Sequence, residues 1–134
     1  MSTFFIQIDC SRDENYSLII EDDGNVAYAY LLDNGEITGD VWLYNSAETP
    51  LTPPWKEGKQ MPFANPSMYL DLSNQITPVS DDDDVHAEWI FERDDLSDVM
   101  ITIRGQLVAK LRPGSKPGWS KQVIADGPLA KVLK

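Results

Sequence analysis

Two dipeptides, Asp23-Gly24 and Asn34-Gly35, constrain the fold of this chain more than any other feature of its sequence. Each lies between apolar stretches, and such a pair in that setting is the strongest short-range indication of a β-hairpin. A two-residue turn at Asn34-Gly35 would bring eight residues into four cross-strand pairs, and seven of the eight are apolar. The pairs are Leu32 with Ile37, Tyr30 with Gly39, Tyr28 with Val41, and Val26 with Leu43. Turn chemistry and the apolar pattern therefore predict the same hairpin.

The strand between the two turns is predicted to be central in its sheet. If Asp23-Gly24 is also a two-residue turn, Ile20 and Leu18 lie beside the alanines of the strand over residues 26–32. That strand is then apolar on both faces. Because its alanine side chains are small, they leave room for a covering element, and we expect both faces to be covered.

A second group of strands is predicted in the C-terminal half of the chain. Apolar and polar residues alternate in three stretches, over residues 87–92, 99–104 and 107–112. A two-residue turn at Gly105-Gln106 would place Ile101 opposite Lys110, and burying an unpaired lysine costs more than an imperfect turn. We therefore predict a β-bulge or an odd-length loop, which keeps the apolar faces together.

The remaining segments complete a single, mainly β domain over residues 1–134. Five prolines mark residues 45–67 as one long loop, because proline has no N–H to donate to a sheet. Asp126 can cap a short helix over residues 128–133. The predicted strands cover residues 3–9, 16–21, 26–32, 37–44, 87–92, 99–104, 107–112 and 119–124, and residues 80–84 form an acidic loop. This order predicts an antiparallel β-sandwich or partly open barrel of about seven to nine strands, with two meanders joined by the Pro-rich loop and followed by a C-terminal helix.

The charge of the chain is large and unevenly distributed. The net charge is −11, and residues 1–98 hold 21 acidic against four basic residues, a net of −17. Residues 99–134 hold seven basic residues against Asp126 alone, a net of +6. An acidic surface repels phosphate, so nucleic acid is not an expected partner and a basic protein is. The basic C-terminal part is expected to pair with the protein's own acidic part.

The sequence favours a reducing compartment. Cys10 is the only cysteine, so no intrachain disulfide is available. The N-terminus lacks the basic and apolar regions of a secretion signal, and no stretch approaches the roughly 18 apolar residues of a membrane span. We therefore expect a cytoplasmic protein with no membrane partner; its oligomeric state is left open.

Conventional catalytic motifs are absent from the sequence. Neither the phosphate-binding glycine patterns nor a G-x-S-x-G elbow occurs, and any triad would have to use His86, the only histidine. An enzyme would need paired carboxylates instead. We expect a non-enzymatic protein without a cofactor.

A divalent-cation site is a weaker alternative at the acidic loop. The carboxylates of Asp81–Asp84, with His86 and Glu88, are ligand types that suit calcium or magnesium. Their spacing is not that of an EF-hand, and runs of aspartate are usually solvated loops. No metal site is predicted.

Two binding hypotheses remain open. The first is an acidic protein that masks a basic protein partner, as inhibitor and immunity-type proteins do. Its predicted contact residues are Trp42, Tyr44 and Asp40, which share a strand face expected to reach the surface, together with Asp81, Asp82, Asp83 and Asp84. The alternative is a small ligand held between the sheet and the Pro-rich loop. Its predicted lining is Trp55, Met61 and Phe63, with Arg104 or Lys110 orienting an anionic group.

Overall fold

A computed structural model describes residues 3–58 and 62–133, and its regular structure is almost entirely β. The N-terminal half forms a four-stranded antiparallel sheet in the order β1-β2-β3-β4. Its strands are β1 (Phe4–Asp9), β2 (Tyr16–Asp22), β3 (Val26–Asp33) and β4 (Glu36–Asn45). As the apolar pattern predicted, β3 is central and lies between β2 and β4.

The C-terminal half forms a five-stranded sheet in the order β5-β6-β7-β8-β9. Its strands are β5 (Val85–Glu92), β6 (Asp95–Ile103), β7 (Gln106–Leu111), β8 (Trp119–Ser120) and β9 (Lys131–Val132). All neighbours are antiparallel except β8 and β9, which are parallel. Three short 3-10 turns lie at Pro54–Glu57, Ser67–Tyr69 and Asp82–Asp84, and the described residues contain no α-helix. None of these elements is a helix long and apolar enough to cross a membrane.

The hairpin at Asn34-Gly35 is confirmed, but of its four predicted cross-strand pairs only the first is present. Both turn residues have positive φ, 52° and 83°, and Leu32 lies opposite Ile37. A bulge between Leu31 and Leu32 then shifts the register. The other three predicted pairs are wrong: the strand pairs Tyr30 with Asp40, Tyr28 with Trp42, and Val26 with Asn45. A turn fixes the residues next to it, and packing on both faces of β3 sets the rest.

The first hairpin differs from the prediction by a shift of two residues. The Asp23 carboxylate accepts hydrogen bonds from the N–H groups of Asn25 and Val26, and the Asp23 N–H donates to the Val26 carbonyl. The turn is thereby moved to Gly24-Asn25, and Ile20 lies opposite Ala29. Since side chains alternate with a period of two, the shift leaves every residue on its predicted face.

The predicted bulge between β6 and β7 is confirmed. The register shifts between Ile101 and Thr102, which places Ile101 opposite Ala109 and Lys110 opposite Met100. The two-residue turn is Arg104-Gly105, with φ values of 50° and 79°. Ala109 and Leu111 stay on the apolar face and Val108 is buried beside them, while Leu107 lies opposite Thr102. Lys110 stays out of the core.

The predicted C-terminal helix is wrong, and the predicted strand over residues 119–124 is too long. Residues 131 and 132 form β9, while β8 ends at Ser120 and Val123 makes only an isolated bridge to Leu70. The Leu129 carbonyl accepts from the Trp42 N–H, at 3.0 Å. A helix of six residues is too short to be stable alone, so these long-range hydrogen bonds decide the conformation.

The two sheets are joined on one side of the molecule and left open on the other. On the joined side, the edge of β4 bonds to the chain around β8: Asp40 N–H to Ser115 O at 3.0 Å, and Gly118 N–H to Asp40 O at 2.7 Å. On the open side, β1 and β5 are edge strands, and no other described strand pairs with their outer edges. The Arg12 guanidinium lies there, 4.4 Å from the centre of the Phe91 ring. The sheets are therefore not closed.

Candidate functional site

Trp42 and Tyr44 lie in the core, so the expectation that they reach the surface is wrong. Their exposed fractions are 0% and 1%. A second bulge, between Ala27 and Tyr28, places the two side chains on opposite faces of the sheet. Trp42 Nε1 donates to Asn45 Oδ1 at 2.9 Å. The Tyr44 hydroxyl donates to a carboxylate oxygen of Asp22 at 3.0 Å and accepts from the Val79 N–H.

The predicted acidic loop is an ordered turn that leads into β5. Asp81 caps it, since its Oδ1 accepts from the Asp83 N–H at 2.9 Å. Asp84 forms an ion pair with Arg104, whose Nε lies 3.5 Å from Asp84 Oδ2. Arg104 also donates to the carbonyl oxygens of Thr77 and Pro78. These contacts hold Arg104 at the acidic turn.

A set of exposed carboxylates lies along β5 and the turn before it. We call this set the acidic edge; it consists of Asp81, Asp82, Asp83, Glu88 and Glu92. Within the described residues, no ion pair joins any member of the acidic edge to a cation, whereas Arg104 pairs with Asp84 and Arg112 with Asp98. Trp89 and Phe91, on the other face of β5, are only half-buried because β5 is a sheet edge.

The acidic edge does not gather into a metal-binding cluster. His86 and Glu88 are exposed on the outer face of β5, two residues apart, after the turn that holds Asp82–Asp84. Across the described parts of the chain, no three Asp, Glu, His or Cys side chains are placed to share one metal ion.

A cavity of about 270 Å³ lies between β4 and the Pro-rich loop. It is lined by Asp40, Trp55, Phe63, Lys116, Pro128 and Leu129. Of the predicted ligand-contacting residues, Trp55 and Phe63 are there, with ring centres 5.8 Å apart and edge to face. Met61 lies outside the described residues. Arg104 and Lys110 lie elsewhere, so the charges in this cavity are those of Asp40 and Lys116.

Asp40 gives the cavity its electrostatic character. Burial raises the pKa of its half-buried carboxyl above the ordinary value, and the Lys116 ammonium opposes that rise. No direct ion pair joins Asp40 and Lys116 among the described residues. Each charge is therefore available to a bound group that also contacts the Trp55 and Phe63 rings.

The charge on the outer face of the five-stranded sheet changes from negative at β5 to positive at β7 and β9. In one row, pairing places Glu88 beside Met100, Met100 beside Lys110, Lys110 beside Trp119, and Trp119 beside Lys131. Sequence reasoning did not find this row, because Lys131 was assigned to a helix. The positive charge of residues 99–134 was a signal of it.

Arg112 and Asp98 form a shorter ion pair than Arg104 and Asp84 do. Arg112 Nε lies 2.7 Å from Asp98 Oδ1. Burial alone would raise the pKa of Asp98, but hydrogen bonds from Ser97 and Arg112 and the charges of Arg112 and Lys110 hold it below the ordinary value. The expected pairing of the basic part with the acidic part therefore holds for Arg112 and Arg104, but not for the row at Trp119.

Compared with models of protein families, with curated protein sequences and with solved structures, the chain matches none.

Proposed function

We propose that this protein is a non-enzymatic binding protein that masks a basic protein partner, in the manner of an inhibitor or immunity-type protein. The observation that carries the proposal is the acidic edge, whose five carboxylates have no cationic partner within the described chain. Like charges held close together repel each other and destabilise the fold. A basic partner would relieve that repulsion.

The position of the acidic edge on the open side supports the same proposal. We infer that the two sheets form a β-sandwich, or partly open barrel, whose unclosed side lies at β1 and β5. There Trp89 and Phe91 are half-buried, and Ile90 is 38% exposed. Aromatic side chains rimmed by charges are typical of binding hot spots. The contact residues proposed at the surface are thus those of β5, in place of Trp42 and Tyr44.

The inventory of reactive groups supports a role without catalysis. Cys10 is buried, and His86 is exposed on the outer face of β5. The cytoplasm remains the proposed compartment, because a single cysteine is typical of proteins kept in a reducing environment. A basic protein is the proposed partner, and no cofactor is assigned.

The test begins with a basic protein captured from source-cell lysate at both low and physiological salt. For that protein, we expect the double substitution Glu88→Gln/Glu92→Gln to slow association by about tenfold at low salt, because it weakens electrostatic steering. The matched control is Glu36→Gln/Glu48→Gln, which removes the same charge from exposed positions on the other sheet and in the Pro-rich loop. Stopped-flow fluorescence measures the rates.

Two outcomes would contradict the proposal. If no basic protein is retained at physiological salt, the masking function is wrong. If both double variants slow association equally, the effect follows the net charge and the acidic edge is not the contact surface. A change confined to the acidic-edge variant, and lost at high salt, supports it.

The cavity between β4 and the Pro-rich loop favours a second candidate function, the binding of a small ligand. A half-buried carboxylate beside two aromatic rings suits an ammonium group carried on an apolar body. The Lys116 ammonium in the same cavity can donate hydrogen bonds to a carboxylate of that ligand, which points to a zwitterion. The proposed ligand therefore resembles a hydrophobic amino acid.

Asp40→Asn is the substitution that tests this candidate. We expect binding of phenylalanine, used as the probe, to weaken by about tenfold, because a charge-assisted hydrogen bond becomes a neutral one. Asp33→Asn, which changes a half-buried aspartate at the end of β3, is the control. Since burial raises the pKa of Asp40, wild-type affinity should fall as pH drops through that raised pKa. Calorimetry checks both; a flat titration, without thermal stabilisation, would remove the candidate.

A further inference from the structure

Three cations converge on one indole ring at the far side of the five-stranded sheet. The Nζ atoms of Lys110 and Lys131 each lie 4.7 Å from the centre of the Trp119 ring. The Arg112 guanidinium carbon lies 5.2 Å from it. Each contact is a cation–π interaction, yet three positive charges around one ring also repel one another. A negative charge nearby would offset this repulsion.

The strand register creates this group. Lys110 in β7 lies opposite Trp119 in β8, and Trp119 lies beside Lys131 in the parallel strand β9. Arg112 directly follows β7, and its guanidinium reaches the same ring. The row is held by the bulge in β6–β7 and by the bond from the Lys131 N–H to the Gly118 carbonyl, at 2.9 Å.

The protein neutralises only one of the three cations with a direct ion pair. Arg112 is bound to Asp98, whereas no ion pair joins Lys110 or Lys131 to a carboxylate anywhere in residues 3–58 and 62–133. Asp126 borders the same region, and its Oδ1 accepts from the Val132 N–H at 2.8 Å. The two lysines thus remain available to an outside anion.

The two lysines line a cavity of about 560 Å³. Besides Lys110, Trp119, Lys131 and Asp126, its walls are Ile124, Ala125, Val132 and Leu133. Ile124 is 64% exposed although it is a large apolar side chain. Charge and apolar surface therefore occur side by side in one concavity, as in sites for small ligands.

We propose that this cavity binds an organic anion, with its carboxylate or phosphate between Lys110 and Lys131 and its apolar body against Trp119 and Ile124. The site is separate from the acidic edge and from the cavity at Asp40, and does not depend on the proposed function. The net charge of −11 opposes any anion at long range. That repulsion is screened beyond about 8 Å at physiological ionic strength, so the two lysines dominate locally.

Phenyl phosphate, benzoate, inorganic phosphate and benzylamine are the probes for the test. The readout is the indole ¹H–¹⁵N NMR signal of Trp119, assigned as the one missing in Trp119→Phe. We expect saturable shifts with phenyl phosphate or benzoate, and affinity at least about fivefold weaker for inorganic phosphate, which lacks the apolar ring. Benzylamine, with the ring but the opposite charge, should give no saturable shift. Which of the two ring-bearing anions binds more tightly distinguishes phosphate from carboxylate recognition.

Substitutions at the site and away from it sharpen the test. Lys110→Gln/Lys131→Gln should weaken the best probe about tenfold or more, whereas Lys56→Gln/Lys121→Gln, with the same loss of charge at exposed positions outside both cavities, should change it less than about twofold. Asp126→Asn keeps an acceptor for the Val132 N–H and removes the repelling charge, so it should tighten binding. Shifts that rise linearly with concentration, or equal losses in both lysine pairs, would overturn the proposal.

Discussion

Asp22→Ala is expected to lower the free energy of unfolding by about 3–5 kcal/mol, because it leaves one buried and two partly buried donors without their acceptor. The Asp22 side chain is 3% exposed, and its carboxylate accepts three hydrogen bonds. The donors are the Gly24 N–H at 2.9 Å, the Tyr44 hydroxyl at 3.0 Å and the Ser46 hydroxyl at 2.6 Å. Tyr44 in turn accepts from the Val79 N–H. The loss therefore spreads from the end of β2 to the segment before β5.

Urea denaturation measures this effect, with Asp23→Ala as the matched control. Asp23 also accepts two backbone N–H groups, but it is exposed, so water can replace its carboxylate. The control substitution should lower the free energy of unfolding by about 1 kcal/mol. Removing one negative charge from a chain of net charge −11 has the same small favourable effect in both variants. If the two variants lose equal stability, the Asp22 network does not have the assigned role.

Gly118→Ala is expected to cost about 3 kcal/mol or more, through overpacking at the joined side of the two sheets. A Cβ at residue 118 would lie 2.5 Å from the Lys110 carbonyl oxygen and 2.8 Å from Leu111 Cδ2. The backbone cannot easily move away, because the Gly118 N–H donates to the Asp40 carbonyl at 2.7 Å and its own carbonyl accepts from Lys131. Glycine is needed at residue 118 because the neighbouring atoms leave no room for a Cβ atom.

Gly114→Ala provides the comparison for Gly118→Ala. Gly114 has φ of +88°, and a Cβ there would meet no atom within 4 Å. Its substitution should cost about 1–2 kcal/mol, from backbone conformation alone. Thermal unfolding followed by circular dichroism separates the two costs. Equal losses would mean that the chain around β8 adjusts freely, and the geometry described for the Trp119 row would then not be fixed.

The candidate sites were predictable only where a local pattern was sufficient. Aromatic residues among prolines indicated that Trp55 and Phe63 would line a space beside the sheet, and both do. The burial of Trp42 and Tyr44 was not predictable, because two bulges alter the faces of β4. The partial exposure of Trp89 and Phe91 was not predictable either, because alternation in a strand does not reveal whether that strand is a sheet edge.

The sequence by itself determined the β class, the hairpin turn at Asn34-Gly35, the central position of β3, and the apolar faces of β5 and β6. These follow from local chemistry: glycine permits positive φ, and a period of two sorts side chains onto faces. Only the tertiary structure decided the register beyond each bulge, the strand in place of a C-terminal helix, and the meeting of Lys110, Trp119 and Lys131. Those features depend on hydrogen bonds and packing between residues far apart in the chain, whose combined free energy outweighs the weak preferences of any short segment.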